Sequence, residues 1–307
     1  MNSLALIMQA AFLFAACVCI LSAVGLGVGL YALPGLDGEE LLLLPAIGLG
    51  TAALTMTWLT PLVPAVGSTA ILLLWTIPVA SVMSYRRRHY LIHALHCKWK
   101  LFGFAIALAF AVYLVLLIPT FSSGFFTVAS PGTDGVYIYA PVTHYLQTHP
   151  YPQPDSSTAI NPSLVYLRSY YPSEPSALLV PAMAASITGW PAYSIIDTFN
   201  ALCISLGVFG LIVVLRPVLN VPRVVAVSAV GAYSTNQYLV WNMGFDFLPQ
   251  SQSVMLFMTI LALCAISMRT LSRRSVALLG VCAAALAGIY FPVVVACAIC
   301  CSALAAT

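Results

Sequence analysis

An all-α, polytopic membrane helix bundle of about eight spans is what this sequence predicts, and three observations carry the prediction. Hydrophobic residues make up 62% of the chain and charged residues only 6%, with a mean hydropathy of +1.01. A soluble domain carries about 25% charged residues. Apolar runs of about 20 residues recur along the chain, the length at which a helix crosses the hydrocarbon core. Such runs read as helices rather than barrel strands, because a helix satisfies its backbone within one segment. Finally, Lys and Arg gather between runs, with five of the eleven in residues 86–100. The formal charge of +3 therefore reports orientation and not nucleic-acid binding.

The first span covers residues 4–33. No basic residue precedes Arg86. The opening run thus lacks the basic n-region of a secretory signal and is expected to be a retained transmembrane helix. Asp37, Glu39 and Glu40 follow as a short acidic turn. It is expected to be a solvated connector that sets negative charge at the start of the next helix. Residues 41–60 and 67–85 are the second and third spans, divided by the two prolines of TPLVP at 60–64.

Residues 86–100, RRRHYLIHALHCKWK, form the most basic loop, which the positive-inside rule places in the cytoplasm. A helix there would align His89, His93 and His96 on one face. The basic surroundings repel a metal cation, so the reading is a basic interfacial helix at anionic headgroups. Residues 101–121 then cross outward. The polar stretch 122–175 is extracytoplasmic as a result.

Parity decides the next element. If 176–190 and 192–215 both crossed, Arg216 and Arg223 would lie outside, against the positive-inside rule. Residues 176–190 are short of a full span and contain Pro181. They are expected to be an interfacial or re-entrant helix that does not cross. Residues 192–215 run inward and 224–241 outward. A second extracytoplasmic turn, 242–252, carries Asp246. Residues 254–268 return to the basic loop 269–274, and 275–304 form the last span, kinked at Pro292. Residues 1–100 thus read as an N-terminal three-helix segment and 101–307 as a core with an extracytoplasmic loop at 122–191. The end at Thr307, without a polar tail, reads as a fragment of a longer protein or a short relative. No repeat of fixed period is evident.

The nine cysteines sit inside predicted spans, except Cys97. They read as small packing residues. Cys297 and Cys300 make a C-x-x-C, but in an apolar helix without polar neighbours, which argues against a metal or redox pair.

Most of the chain's polar chemistry lies in residues 122–175. Asp134, Asp155 and Glu174 are there, with His144, His149 and the tyrosines 137, 139, 145, 151, 166, 170 and 171. The stretch is rich in Tyr, Pro and apolar residues and poor in the residues that mark disorder, so it is expected to fold against the membrane surface. PGTDG marks a tight turn. Thr133 or Asp134 can cap a helix after it. Pro141 would either kink that helix or occupy its first turn, with the start at Ala140. Asp134 has two readings: a turn or cap aspartate, and a general base at the membrane edge. The tyrosines suit an interfacial belt, and equally the faces of sugar rings. Arg168 has the planar fork for a phosphate, or can pair with Asp155 or Glu174.

The order of these features resembles the GT-C superfamily of membrane glycosyltransferases, which take sugars from polyprenyl-phosphate donors. The resemblance covers about residues 102–268. A span is followed by an acidic residue near the start of a long loop, TDGVYIYAPVTHYLQTHPYP. A proline-containing interfacial helix, YPSEPSALLVPAMAASITGW, leads into PAYSIIDTFNALCISLGVFGLIVVL. A second acidic residue follows the next outward span, as Asp246 does in NMGFDFLPQ.

The resemblance implies inverting sugar transfer at the extracytoplasmic face, with Asp134 as the base for an acceptor hydroxyl. Asp246 would support the site or hold a divalent cation, Mg or Mn, the one cofactor implied. Arg168 is the candidate contact to the donor phosphate on its own chemistry. Tyr137, Tyr139, His144 and Glu174 complete the candidate substrate-binding set. The implied partners are a lipid-linked sugar donor, a glycan or lipid acceptor and membrane lipids, with no nucleic acid. The implied location is the cell (plasma) membrane. A transporter or flippase is the rival class, for which Asp197 is the candidate intramembrane carboxylate. A non-catalytic assembly subunit is the third.

Overall fold

The computed structural model describes residues 3–33, 38–123, 139–150, 176–237, 239–240 and 248–306. All elements among them are helical. α1 spans Ser3–Ala32 and a 3₁₀ turn, Glu39–Leu43, leads into α2, Leu44–Leu59. Next come α3 (Ala65–Arg86), α4 (Arg88–Leu116), α5 (Ile118–Ser123) and α6 (Ala140–Thr148). α7 is Ser176–Thr188 and α8 is Ala192–Val213, extended by a π-turn at Val214–Val218. α9 (Arg223–Ser234), α10 (Leu248–Thr270) and α11 (Arg273–Ala306) complete the chain.

Seven of these, α1 to α4, α8, α10 and α11, are long and apolar enough to cross a membrane. The chain is an integral membrane protein. The expected eighth span, 224–241, is represented by α9, which has 12 residues and reaches about 18 Å of a roughly 30 Å core. The helix stops because Ser234, Thr235, Asn236 and Gln237 interrupt the apolar run. The Thr235 N–H still donates to the Gly231 carbonyl, and the hydroxyls of Ser234 and Thr235 bond back to the carbonyls of Val230 and Gly231 as well.

α8 is the central post. Nearly every residue from Ala192 to Val213 is buried, and its run is apolar on all sides, as a helix enclosed by others must be. α10 packs along it in parallel. Gly210 lets the two backbones approach so closely that a Cβ there would lie 2.9 Å from the Thr259 nitrogen. α1 and α2 cross in the same way. A methyl at Gly25 would collide with the Leu44 carbonyl, and one at Gly48 with the Leu21 carbonyl. α11 breaks at Tyr290, φ −157° and ψ 90°, two residues before Pro292, where a kink was expected.

The three basic segments share one end of the bundle. Arg87 donates to the Leu33 carbonyl at 2.9 Å, and Ser275 to the Ala32 carbonyl at 3.3 Å. The Arg274 guanidinium lies 4.7 Å above the Tyr31 ring. Lys100 and Arg216 line one cavity. The basic stretch 86–100 is helical and continuous with the span after it. His89, His93 and His96 are exposed on it, and no group of three metal-ligating side chains forms among the described residues.

The acidic turn differs from its expected solvated form. Glu39 and Glu40 are 8% and 3% exposed. Lys98 meets Glu39 at 2.8 Å, and the Tyr90 hydroxyl donates to Glu40 at 2.8 Å. α4 lies over the turn, and Gly38, at φ 85°, sits so close to Ala94 that a Cβ would lie 2.6 Å from its methyl. Asp37 lies outside the described residues.

Candidate functional site

α7 is the element that positions the end of the bundle opposite the basic segments. At 13 residues it covers about 20 Å, too little to cross. Its first ten residues, Ser176 to Ala185, are all buried. The helix is therefore enclosed by protein and does not lie on the surface. Of the two forms expected, interfacial or re-entrant, the burial matches a helix set into the bundle.

Pro181 sits inside α7. It has no N–H, so the carbonyl of Ala177 loses its helical donor. The side-chain amide of Gln252, in the first turns of α10, fills that vacancy at 2.6 Å. At the same end, Ser176 lies 2.8 Å from the hydroxyl of Thr57. Thr57 spends its one proton on the Ala53 carbonyl at 2.7 Å, so Ser176 is the donor between them. The start of α7 is thus tied to α2 and to the start of α10.

α6 begins at Ala140 with Pro141 in its first turn, where a proline costs nothing. Tyr139, Val142, Thr143 and Leu146 form its buried face, spaced as i, i+3, i+4 and i+7. That face packs on α7 and α8. Tyr139 is 1% exposed. His144 points the other way and is exposed. The two candidates on this helix are therefore not brought together. The exposed end carries a stack of Tyr145 on His149, with centroids 4.4 Å apart.

Asp134, Tyr137, Arg168, Glu174 and Asp246 lie outside the described residues, as do Thr133 and Asp155. The described helices fix where their segments attach. Tyr137 and Asp134 stand three and six positions before Ala140. Glu174 stands two before Ser176, and Asp246 two before Leu248. The helices that follow these three acids are α6, α7 and α10. α6 packs on α7, and α7 is bonded to α10 through Gln252.

The packed helices α6, α8 and α10 also carry buried polar groups. Asn200 on α8 is 0% exposed, and neither its oxygen nor its nitrogen has a hydrogen-bond partner among the described residues. The same holds for the hydroxyl of Thr143 on α6 and the carbonyl oxygens of Gln250 and Gln252 on α10. α6 and α10 both pack on α8. Buried polar atoms are nearly always paired, so an unpaired one calls for an explanation beyond packing. Asp197, one turn before Asn200, is 6% exposed. Asn200 was not legible as a candidate, because it stands inside an apolar run that reads as an ordinary span. Its one signal is an amide inside that run.

No protein-family model, curated protein or solved structure matches this chain.

Proposed function

We propose that this chain is a membrane glycosyltransferase that moves a sugar from a polyprenyl-phosphate donor to a glycan or lipid acceptor at the extracytoplasmic face. The observation that carries the reading is the Gln252–Ala177 bond. It joins the helices that directly follow Glu174 and Asp246, while α6, which follows Asp134, packs on the first of them. Three acidic residues far apart in sequence thus belong to segments anchored on one group of helices. Asn200, Gln250, Gln252 and Thr143 add buried polar atoms on the same group of helices, α8, α10 and α6.

In this reading Asp134 accepts the proton of an acceptor hydroxyl. The freed oxygen attacks the anomeric carbon, and the bond from that carbon to the phosphate oxygen breaks with inversion. The leaving group is the lipid phosphate, whose charge Arg168 meets through its planar fork. Tyr137 offers an aromatic face to the sugar or prenyl chain, while the buried Tyr139 seats α6 on α7 and α8 and the exposed His144 faces away from it. The described residues bring no ligand set together for a Mg or Mn ion, and Asp246 alone does not define one.

The test is transfer of radiolabelled sugar from a polyprenyl-phosphate donor by membranes carrying the native chain or Asp134→Asn. The expected result is loss of transfer in the variant by about 100-fold or more, the usual worth of a general base. Equal transfer by both would remove Asp134 from the mechanism.

Asp197 favours a second reading, a transporter or flippase. A carboxylate buried in the central helix is the kind of group that marks a translocation path. Asp197→Asn separates the two classes. It should abolish substrate movement in a transporter, and leave sugar transfer running in a transferase.

A further inference from the structure

We propose that the groove between α4, α8 and α9 at the basic end is a binding site for an anionic phospholipid. The groove is a cavity of about 390 Å³, within the size range of small-ligand sites. Phe104 and Leu108 of α4 form one wall, and Ala226 and Val227 of α9 the other. Lys100 and Arg216 stand in the same lining. The arrangement is an apolar slot with two cations and no acidic residue among its described lining residues.

Three observations identify the occupant. The slot opens sideways, because Phe104 is 47% and Val227 44% exposed, the first on a helix long and apolar enough to cross a membrane and the second on the shorter apolar α9. An acyl chain is what stands there in a membrane. The two cations are also not neutralised within the described protein. The described acids nearby are engaged elsewhere, Glu39 with Lys98 and Glu40 with Tyr90, and neither Lys100 nor Arg216 has an ion pair among the described residues. Finally, the Arg216 guanidinium is poorly satisfied. Among the described residues its Nε is buried without a partner, and its one hydrogen bond, to the Val221 carbonyl, is long at 3.4 Å. A buried guanidinium donor calls for an anionic acceptor, and a phosphate supplies several oxygens in the right plane. Basic pockets between membrane helices bind acidic lipid headgroups by this chemistry.

The experiment uses the full chain purified in a neutral detergent. Phosphatidylglycerol or phosphatidylcholine is added, and bound lipid is counted by native mass spectrometry alongside the melting temperature. The expected result is preferential retention of phosphatidylglycerol. Lys100→Gln should lower its binding about fivefold, the worth of one cation at an anionic surface. Arg216→Gln should lower it at least as much. Ala226→Trp, which fills the slot and keeps both charges, should also lower it. Arg86→Gln removes an exposed charge outside the slot and should change nothing. Glycerol 3-phosphate should not displace the lipid, because it lacks the acyl chain. Equal retention of the two lipids would overturn the proposal. So would an Arg86→Gln loss matching that of Lys100→Gln, or displacement by glycerol 3-phosphate.

Discussion

Gln252 and Ala177 stand 75 residues apart in sequence and 2.6 Å apart in space, the side-chain amide of one donating to the backbone carbonyl of the other. The bond exists because Pro181 cannot donate to Ala177. In a lipid-surrounded bundle no water takes its place, so a side chain from the neighbouring helix does. Gln252→Leu should therefore cost about 1–3 kcal/mol, the penalty of an orphaned buried carbonyl. Melting in detergent reads this out. In a Pro181→Ala background the helix regains its own donor, and the same change should cost much less. An unchanged cost in that background would show that Gln252 matters for another reason.

The positive-inside reading makes a direct prediction about Cys97. It is exposed at the basic end of α4, beside His93. A membrane-impermeant maleimide should label Cys97 in inside-out vesicles and spare it in right-side-out ones. Cys19, also exposed but midway along the apolar helix α1, should resist the reagent in both. Labelling of Cys97 only from the outside would invert the topology, and with it the side on which segment 122–175 is placed.

The crossing of α1 and α2 tolerates no side chain at its closest point. Gly48→Ala puts a methyl against the Leu21 carbonyl, a backbone atom that cannot rotate away. The helices must part, and loss of their packing should cost about 1–3 kcal/mol. Gly103→Ala is the matched control, because a Cβ at Gly103 meets nothing within 4 Å. Equal melting temperatures for the two variants would show that the crossing is not as tight as described.

Glu39 and Lys98 form a pair that no local pattern announces. Their side chains are 10% and 30% exposed. Lys98→Met strands a nearly buried carboxylate and should destabilise by about 1–3 kcal/mol, less than for a fully buried pair because water reaches the lysine. Glu39→Gln combined with Lys98→Met should recover most of the loss, since it removes the stranded charge. A double variant as unstable as the single one would mean that the carboxylate is not the source of the cost.

These cases mark what the sequence makes legible. Apolar length announces the spans, and the placement of Arg216 and Arg223 announces that α7 does not cross, because both follow from lipid as solvent. Pro141 and Pro292 disclose local backbone geometry, since a proline acts on its own helix. The partner of a buried polar group is hidden, because it is set by tertiary packing. Nothing near Glu39 points to Lys98, 59 residues on, so the acidic turn reads as solvated. The end of α9 at Ser234 was foreshadowed by four consecutive polar residues, but composition over a full span outweighs them. Of the seven candidate site residues, Tyr139 and His144 fall on a described helix, and its period turns them to opposite sides.

Asn200 offers the sharpest separation of packing from function. It is fully buried, with both polar atoms unpaired among the described residues. Replacement of an unsatisfied amide by an apolar group of similar shape removes a desolvation penalty and adds apolar contact. Asn200→Leu should leave stability unchanged or raise it by up to about 1 kcal/mol. A residue kept at a cost in stability is one retained for another task. In the transferase reading that task is a polar contact to substrate, so sugar transfer should fall about tenfold or more while the melting temperature holds. The two measurements on one variant decide the matter. A drop in both would make Asn200 a structural residue with a partner it needs, and preserved transfer would take Asn200 out of the site.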